Sequence, residues 1–460
     1  MSDITVGAAE DAEAFQFARN RPRTPPTQQD ALRPRSGSIL PMWREPRSAA
    51  RVMYLWDADY PWDVRVEKIC RALRDAGHEV HIVASNRRGE PESEVLPEGT
   101  VHRMPVWPAF RRLDAALSFP AFFNPRWIRH LERTVRLVRP DVIIARDLPL
   151  CPTAIHVGRR TGVPVIHDMA EHYPAMIREI FEVRRHRLLD YVVRNPWVVD
   201  RVERYCVRHV DRVLVVIEEM RERLIAMGVP TWRIDLVSNT PPVARAANVP
   251  RALADGQGVT AGSAVERRPL RLVYLGIMEI PRGIDDLIDA AAKLKEAGRP
   301  VHIDLVGTGR DISLFERRAA ALGVLGTSVV FHGHVASQEG AFRIIAQADI
   351  GILPHRRCTH WDHTIPNKLF DYMAAGLPVV TSDARPFARI VRETRCGEVF
   401  RSRDSTDLAR AISVLADPAL RARYGENGRH AVLDRYHWEH DSIELLNSVE
   451  RAVSAAGGHR

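Results

Sequence analysis

Short apolar runs alternate with helical periodicity along most of the chain. Arg51-Val-Met-Tyr-Leu55 reads as a buried strand. Val66, Ile69, Cys70 and Leu73 follow at the i, i+3, i+4, i+7 spacing of one helix face. Gly77 stops that helix, and Glu79–Ala84 reads as the next strand, which completes a β-α-β unit. Further strands are expected at Asp141–Ala145, Pro164–His167 and Arg212–Val216, with helical stretches between them. The alternation restarts at Leu270–Leu275, with Ile284, Leu287, Ile288 and Ala291 on the following helix face. Val301–Val306, Ser328–Phe331, Asp349–Leu353 and Pro378–Thr381 are the later strands. Such alternation predicts α/β architecture, with two Rossmann-like doubly wound domains.

The pattern fails in two places. Residues 1–48 are rich in Arg, Pro, Ser and Gln without hydrophobic period, and are expected to be a disordered leader. Pro, Ala, Gly and Ser dominate the stretch before Arg268. The expected organisation is therefore 49–243, a linker 244–268, 269–432, and a final helical segment 433–460. A length of 460 residues suits two domains. Open α/β sheets bind ligands outside the carboxyl ends of their strands, so both domains are expected to aim strand ends at a shared central cleft.

Composition narrows the function classes. No apolar run reaches the roughly 18 residues of a membrane span, and Asp3, Glu10, Asp11 and Glu13 stand where a signal peptide would be apolar. A cytoplasmic location is expected. The five cysteines form no C-x-x-C pair, so zinc-finger and disulfide-framework readings fall away and no metal is expected. The net charge of +8 favours anionic partners. Lysine occurs only at 68, 293, 295 and 368, which draws attention to Lys368.

Lys368 lies in Thr364-Ile-Pro-Asn-Lys-Leu-Phe-Asp-Tyr-Met-Ala-Ala-Gly-Leu-Pro-Val-Val380. Pro366 suits a first helical position, so Asn367–Ala375 is expected to be a short helix ended by Gly376. Its first turn leaves backbone N–H groups and the positive dipole end for a diphosphate. Lys368 adds a point charge, and Asp371 is placed to accept from the vicinal hydroxyls of a ribose. An ordinary α-to-β connection with solvated polar residues is the competing explanation.

The segment resembles the family 4 glycosyltransferases, enzymes with the two-domain GT-B fold. Their E-x7-E pattern ends in E-A-M-A-x-G-x-P-V-V, which Asp371–Val380 matches with Asp for the second Glu, while His363 stands at the first. Pro366–Gly376 resembles a recognisable P-N-K-L-[FY]-[ED]-Y-M-A-A-G subset of that family. Gly276-Ile-Met-Glu-Ile-Pro-Arg-Gly283 resembles the family's G-R-x4-K-G loop, with Ile277 for the Arg and Arg282 for the Lys. Val306-Gly-Thr-Gly309, Phe331–Val335, Ala348–Pro354 and Tyr436-His-Trp438 resemble further blocks in the family's order. Arg65–Val80 resembles the opening helix and G-H-E-V strand. His167-Asp-Met-Ala-Glu-His-Tyr-Pro174 stands where relatives have a D-x-H-E type motif, with Ala170 at the usual histidine position.

The resemblance implies a retaining transfer from a nucleoside-diphosphate sugar to a glycan or lipid-linked acceptor, with no metal and no cofactor besides that co-substrate. It implies donor contacts at Gly276, Arg282, Gly307, Gly309, Thr364, Ile365, Pro366, Asn367, Lys368 and Asp371. The expected catalytic set is Asp168, Glu171, His167, Arg282 and Lys368. Helix capping competes for Asp168, a structural role for His167, and a surface ion pair for Arg146-Asp147. Asp57-Ala-Asp59 fits a manganese-binding D-x-D but is read as a loop. Pro108–Arg139 and Ile177–Arg208 carry two readings, basic amphipathic helices on an anionic membrane surface or solvated helix faces. Nucleic acid is not an expected partner.

Three rivals stand beside transfer. A dinucleotide oxidoreductase needs G-x-G-x-x-G after its first strand, and Trp56–Trp62 has no glycine. A sugar-nucleotide epimerase would share the two-domain fold. A catalytically inactive basic protein that binds membranes or nucleic acid is the third, and nucleotide-sugar binding without turnover would favour it.

Overall fold

The computed structural model describes residues 49–61, 63–105, 122–183, 195–247, 268–335 and 338–457. The expected leader 1–48, most of the expected linker, and parts of both basic stretches lie outside the described residues. The chain divides into two compact units. One comprises Arg44–Asn239, Cys358–Ile365 and Trp438–Arg460; the other includes Thr240–Arg357 and Pro366–His437.

In the first unit the strands are β1 (Arg51–Asp59), β2 (Glu79–Ser85), β3 (Ser93–Leu96), β4 (Gly99–Arg103), β5 (Val142–Arg146), β6 (Val165–Met169), β7 (Arg212–Val215) and β8 (Ile234–Leu236). They form one sheet in the order β3-β4-β2-β1-β5-β6-β7-β8, parallel except for the β3–β4 pair. The helices are α1 (Val64–Asp75), α2 (Pro125–Val138), α3 (Cys151–Thr161), α4 (Tyr173–Val183), α5 (Pro196–His209) and α6 (Glu218–Ala226). Asp63 caps α1 by accepting from the N–H groups of Arg65 and Val66, and Gly77 leaves it at φ 90°.

Strand β1 runs four residues beyond its expected end, so Asp57 and Asp59 belong to a strand and not to a loop. Asp59 Oδ1 accepts from Ser85 Oγ at 2.7 Å and from Arg87 N–H at 2.8 Å. The final helix, Trp438–Gly457, packs on this unit. Arg212 Nε donates to Ser448 Oγ at 3.2 Å, and Arg451 pairs with Asp235 at 2.8 Å.

In the second unit the strands are β9 (Leu270–Leu275), β10 (Val301–Val306), β11 (Val329–Gly333), β12 (Ile350–Leu353), β13 (Val379–Ser382) and β14 (Gly397–Phe400). They form a parallel sheet in the order β11-β10-β9-β12-β13-β14. Its helices are α7 (Val243–Ala247), α8 (Ile284–Glu296), α9 (Ile312–Ala321), α10 (Gln338–Ala346), α11 (Asn367–Ala374), α12 (Arg385–Thr394), α13 (Ser405–Val414) and α14 (Pro418–Asp434). Both units are thus parallel-sheet, Rossmann-like α/β structures. The first part of the expected linker is α7, a helix within the second unit. Chain order reverses between β9 and β12, the switch point where such sheets place their ligands.

Candidate active site

Strand β9 ends at Gly276, whose φ of 133° is a region open to glycine alone. Its neighbour Gly307, at φ 141°, ends β10. A Cβ on Gly307 would strike the Gly276 carbonyl, and one on Gly309 would strike the backbone of Met278. The two loops are laced by Gly276 N–H to Val306 O at 2.8 Å and Met278 N–H to Thr308 O at 2.7 Å. Two backbones therefore touch where side chains would force them apart.

Lys368 enters this notch from α11. Its Nζ occupies the space that a Cβ on Gly276 would take, and lies 4.8 Å from the Tyr274 ring centroid. Among the described residues no carboxylate pairs with it. Burial, and then the charge of Arg282, hold the ammonium well below the usual lysine range, while Asp371 opposes them. An anion arriving here would favour the charged form.

Helix α11 starts at Asn367 as expected, but Pro366 is its N-cap, with ψ of 138°, and not its first helical residue, and the helix ends one residue early, at Ala374. No side chain caps it, so its first-turn N–H groups keep their character as anion donors. Tyr372 anchors the helix, its hydroxyl accepting from Leu275 N–H at 3.0 Å and its ring packed against Gly351.

Arg282 closes the β9 loop. The next residue, Gly283, sits at φ 69° with the Pro354 carbonyl where a Cβ would be. Arg356 locks that approach by donating its own N–H to Pro281 O at 2.9 Å, and its side chain pairs with Asp285 at 2.5 Å and Asp286 at 3.1 Å. Nothing in the sequence marked Arg356; an arginine two residues after a strand-end proline has no special signature.

Asp371 lies one turn beyond Lys368, but its carboxylate is engaged. Arg245 of α7 pairs with Asp371 Oδ1 at 2.7 Å. The sequence placed Arg245 in a linker, so this partner was missed. The structure thus gathers Gly276, Arg282, Gly307, Gly309, Lys368 and Asp371 in one unit, with Pro366 and Asn367 at the start of α11.

The remaining expected residues fall in the other unit. Thr364 and Ile365 belong to the segment that packs on the loop after β6, where Thr364 Oγ1 donates to Ala170 O at 3.2 Å. In the same segment His360 Nε2 lies 3.3 Å from Glu171 Oε2 of that loop, and the ring of His363 stands edge-on to His172 at 5.1 Å. Burial and the neighbouring Arg223 push His172 down to about 2, so it is neutral at ordinary pH.

Asp168 requires a correction. It is fully buried and pairs with Arg65, whose Nη2 is 2.5 Å and Nε 3.0 Å away, while Tyr54 Oη donates to it at 2.6 Å. Burial opposes its ionisation, but Arg65 holds the carboxyl below the usual range. It is a buried ion pair closed to solvent and not a helix cap, and this placement does not suit the expected role of a catalytic acid facing a ligand. His167 is likewise buried, beside the Cys151 thiol; despite burial, Cys206 and His167 bring that thiol down to about 6. Arg146-Asp147 is no surface pair either. Arg146 bridges Asp63 at 2.5 Å and Asp147 at 3.3 Å over the Trp56 ring, and burial raises the Asp147 carboxyl to about 6.

Comparison with known proteins agrees with this architecture. The glycosyl transferase 4-like domain matches residues 62–240, and the glycosyl transferases group 1 domain matches residues 269–417. Glycogen synthase of Mycobacterium tuberculosis is 26% identical over 320 residues, covering 66% of this chain and 67% of that protein. Phosphatidyl-myo-inositol mannosyltransferase of Mycolicibacterium smegmatis is 32% identical over 190 residues, covering 40% of this chain and 46% of that protein. In fold, the chain is similar to sucrose-phosphate synthase of Thermosynechococcus elongatus, with a TM-score of 0.65, 18% identity and coverage of 88% and 100%. It is also similar to HepE of Anabaena, solved in complex with UDP, with a TM-score of 0.62, 14% identity and the same coverage. The chain is a GT-B-type glycosyltransferase and belongs to family 4 of these enzymes.

Proposed function

We propose that the protein moves a sugar from a nucleoside-diphosphate sugar to a hydroxyl of a glycan or glycolipid acceptor, with retention of anomeric configuration. The carrying observation is Lys368, whose amino group enters the notch of two glycine loops and forms an ion pair with no carboxylate among the described residues. Lys368, Arg282 and the uncapped first turn of α11 bind the diphosphate, and Asp371 receives the ribose. The C–O bond from the anomeric carbon to phosphate breaks, and negative charge develops on the departing oxygens. Fixed cations and N–H dipoles stabilise that charge most where it is greatest, in the transition state. The acceptor oxygen bonds to the same face, and its proton passes to the leaving phosphate. Neither a metal nor a strong protein base is needed.

A surface-polysaccharide or glycolipid acceptor is favoured by α5. Trp197 is 80% exposed, and the exposed Arg201, Arg204 and Arg208 follow at the spacing of one helix face. That stripe suits an anionic lipid surface on the cytoplasmic side. Among the described residues no helix is long and apolar enough to cross a membrane.

A thermal-shift screen against UDP, GDP, ADP and TDP sugars tests the donor site. Stabilisation by one nucleotide class, lost in Lys368→Ala, is expected. No response from any donor would overturn the reading. Turnover over an acceptor panel with product anomer analysis tests retention, and binding without turnover would favour an inactive binder.

A further inference from the structure

Arg245 lies where neither family domain matches, between residues 240 and 269. Its helix α7 is nevertheless well anchored. Ala246 is fully buried, and its carbonyl accepts from Arg429 Nε of α14 at 2.9 Å. From that fixed base Arg245 Nη1 donates to Asp371 Oδ1 at 2.7 Å.

The pair is partly exposed, with side chains 34% and 18% exposed. A partly exposed pair of this kind adds little to stability, so stability alone is a weak reason for it. Its partner is the residue read as the ribose acceptor. Asp371 is one methylene shorter than the glutamate of the resembled motif, so its carboxylate must be aimed with less reach. A guanidinium is planar and permanently charged, which suits it to fixing a carboxylate in one orientation and keeping it ionised. A carboxylate has about four lone-pair sites, and this contact uses one of them on Oδ1.

We propose that Arg245 is a positioning residue for the nucleotide ribose. It holds Asp371 in the rotamer and charge state that accept the two vicinal hydroxyls, and acts on the donor only through that carboxylate. The proposal rests on the donor-site reading given above.

The test is calorimetric titration of the full chain with UDP, GDP and ADP and with their 2′-deoxy counterparts. Wild type should favour the ribose form of its nucleotide by about tenfold, the worth of one hydrogen bond to a charged group. Arg245→Ala should lower ribose-form affinity about tenfold and bring the ratio of the two forms near one. Arg245→Lys should restore part of that ratio, since it returns the charge without the planar fork. Lys368→Ala should weaken both forms equally and keep the ratio, because it touches the diphosphate.

Asp371→Asn should collapse the ratio by itself, and adding Arg245→Ala to it should cost nothing more. If Arg245→Ala does not fold, the Arg245→Lys and Asp371→Asn proteins carry the same comparison. Binding by wild type with an unchanged ratio in the Arg245 variants overturns the role of Arg245 alone. Tighter ribose-form binding in Arg245→Ala also overturns it, since the pair would then obstruct the site. A wild-type chain that binds none of the probes overturns the donor-site reading, and this proposal with it.

Discussion

Lys368 Nζ lies 4.8 Å from the centre of the Tyr274 ring and fills the space that glycine leaves open at position 276. The lysine thus lies against a π-face and backbone, neither of which carries a negative charge to pair with it. Lys368→Ala should lower turnover by about 100-fold or more, the scale seen when a transition-state charge donor is removed. Its melting temperature should stay close to wild type. Near-normal turnover would remove Lys368 from the catalytic site.

The depressed titration of Lys368 gives donor binding a pH dependence of definite sign. Burial, then Arg282, make the free ammonium lose its proton below the usual lysine range. A diphosphate raises that value again. Above the free-state value the incoming anion must bring a proton with it, so affinity should fall as pH rises through that window. Calorimetry in buffers of different ionisation enthalpy should show proton uptake there, and Lys368→Ala should show none.

Gly276→Ala should separate binding from folding. The new methyl displaces the flexible end of Lys368 first, though the backbone at φ 133° adds strain of about 1–3 kcal/mol. Donor affinity should drop more than stability does. In Gly307→Ala the methyl meets the Gly276 carbonyl, which is rigid, so stability should suffer most. Equal losses of affinity and melting temperature in both variants would contradict this division.

Asp168 should behave as a core group. Asp168→Asn leaves Arg65 buried with one charge uncompensated, and breaking such a pair typically costs about 3–5 kcal/mol. Because the folded carboxyl titrates below its unfolded value, its contribution is present above the unfolded value and fades as pH falls through the folded one. Denaturant unfolding of both proteins across acidic pH measures this. A variant with wild-type stability and no turnover would return Asp168 to the catalytic set.

Arg356→Ala should loosen the loop that carries Arg282. It removes pairs to Asp285 and Asp286 that tie the start of α8 to the end of β12. The expected result is weaker donor binding with little change in melting temperature, and Arg356→Lys should recover only part. Unaltered donor affinity would show that Gly283 and Pro354 suffice to set the loop.

Much of this protein follows from sequence because its signals are local. Buried parallel strands must be apolar runs, and Val52–Leu55 and Leu305–Val306 are accordingly solvent-free. Glycines at positive φ mark loop ends, so Gly276, Gly307 and Gly376 were readable without coordinates. Strands β3, β4, β8 and β14 escaped, since a four-residue edge strand such as β3 alternates exposed residues and needs few apolar ones.

What tertiary structure decided was which charges meet. Asp168 and Arg65 lie 103 residues apart, and Asp371 and Arg245 lie 126 apart. Neither pairing has a period or a spacing. An acid at a strand end reads the same whether an arginine from another helix seals it into the core or leaves it facing a ligand. Burial and partner, not residue type, fix what a carboxylate does, and both are properties of the folded chain.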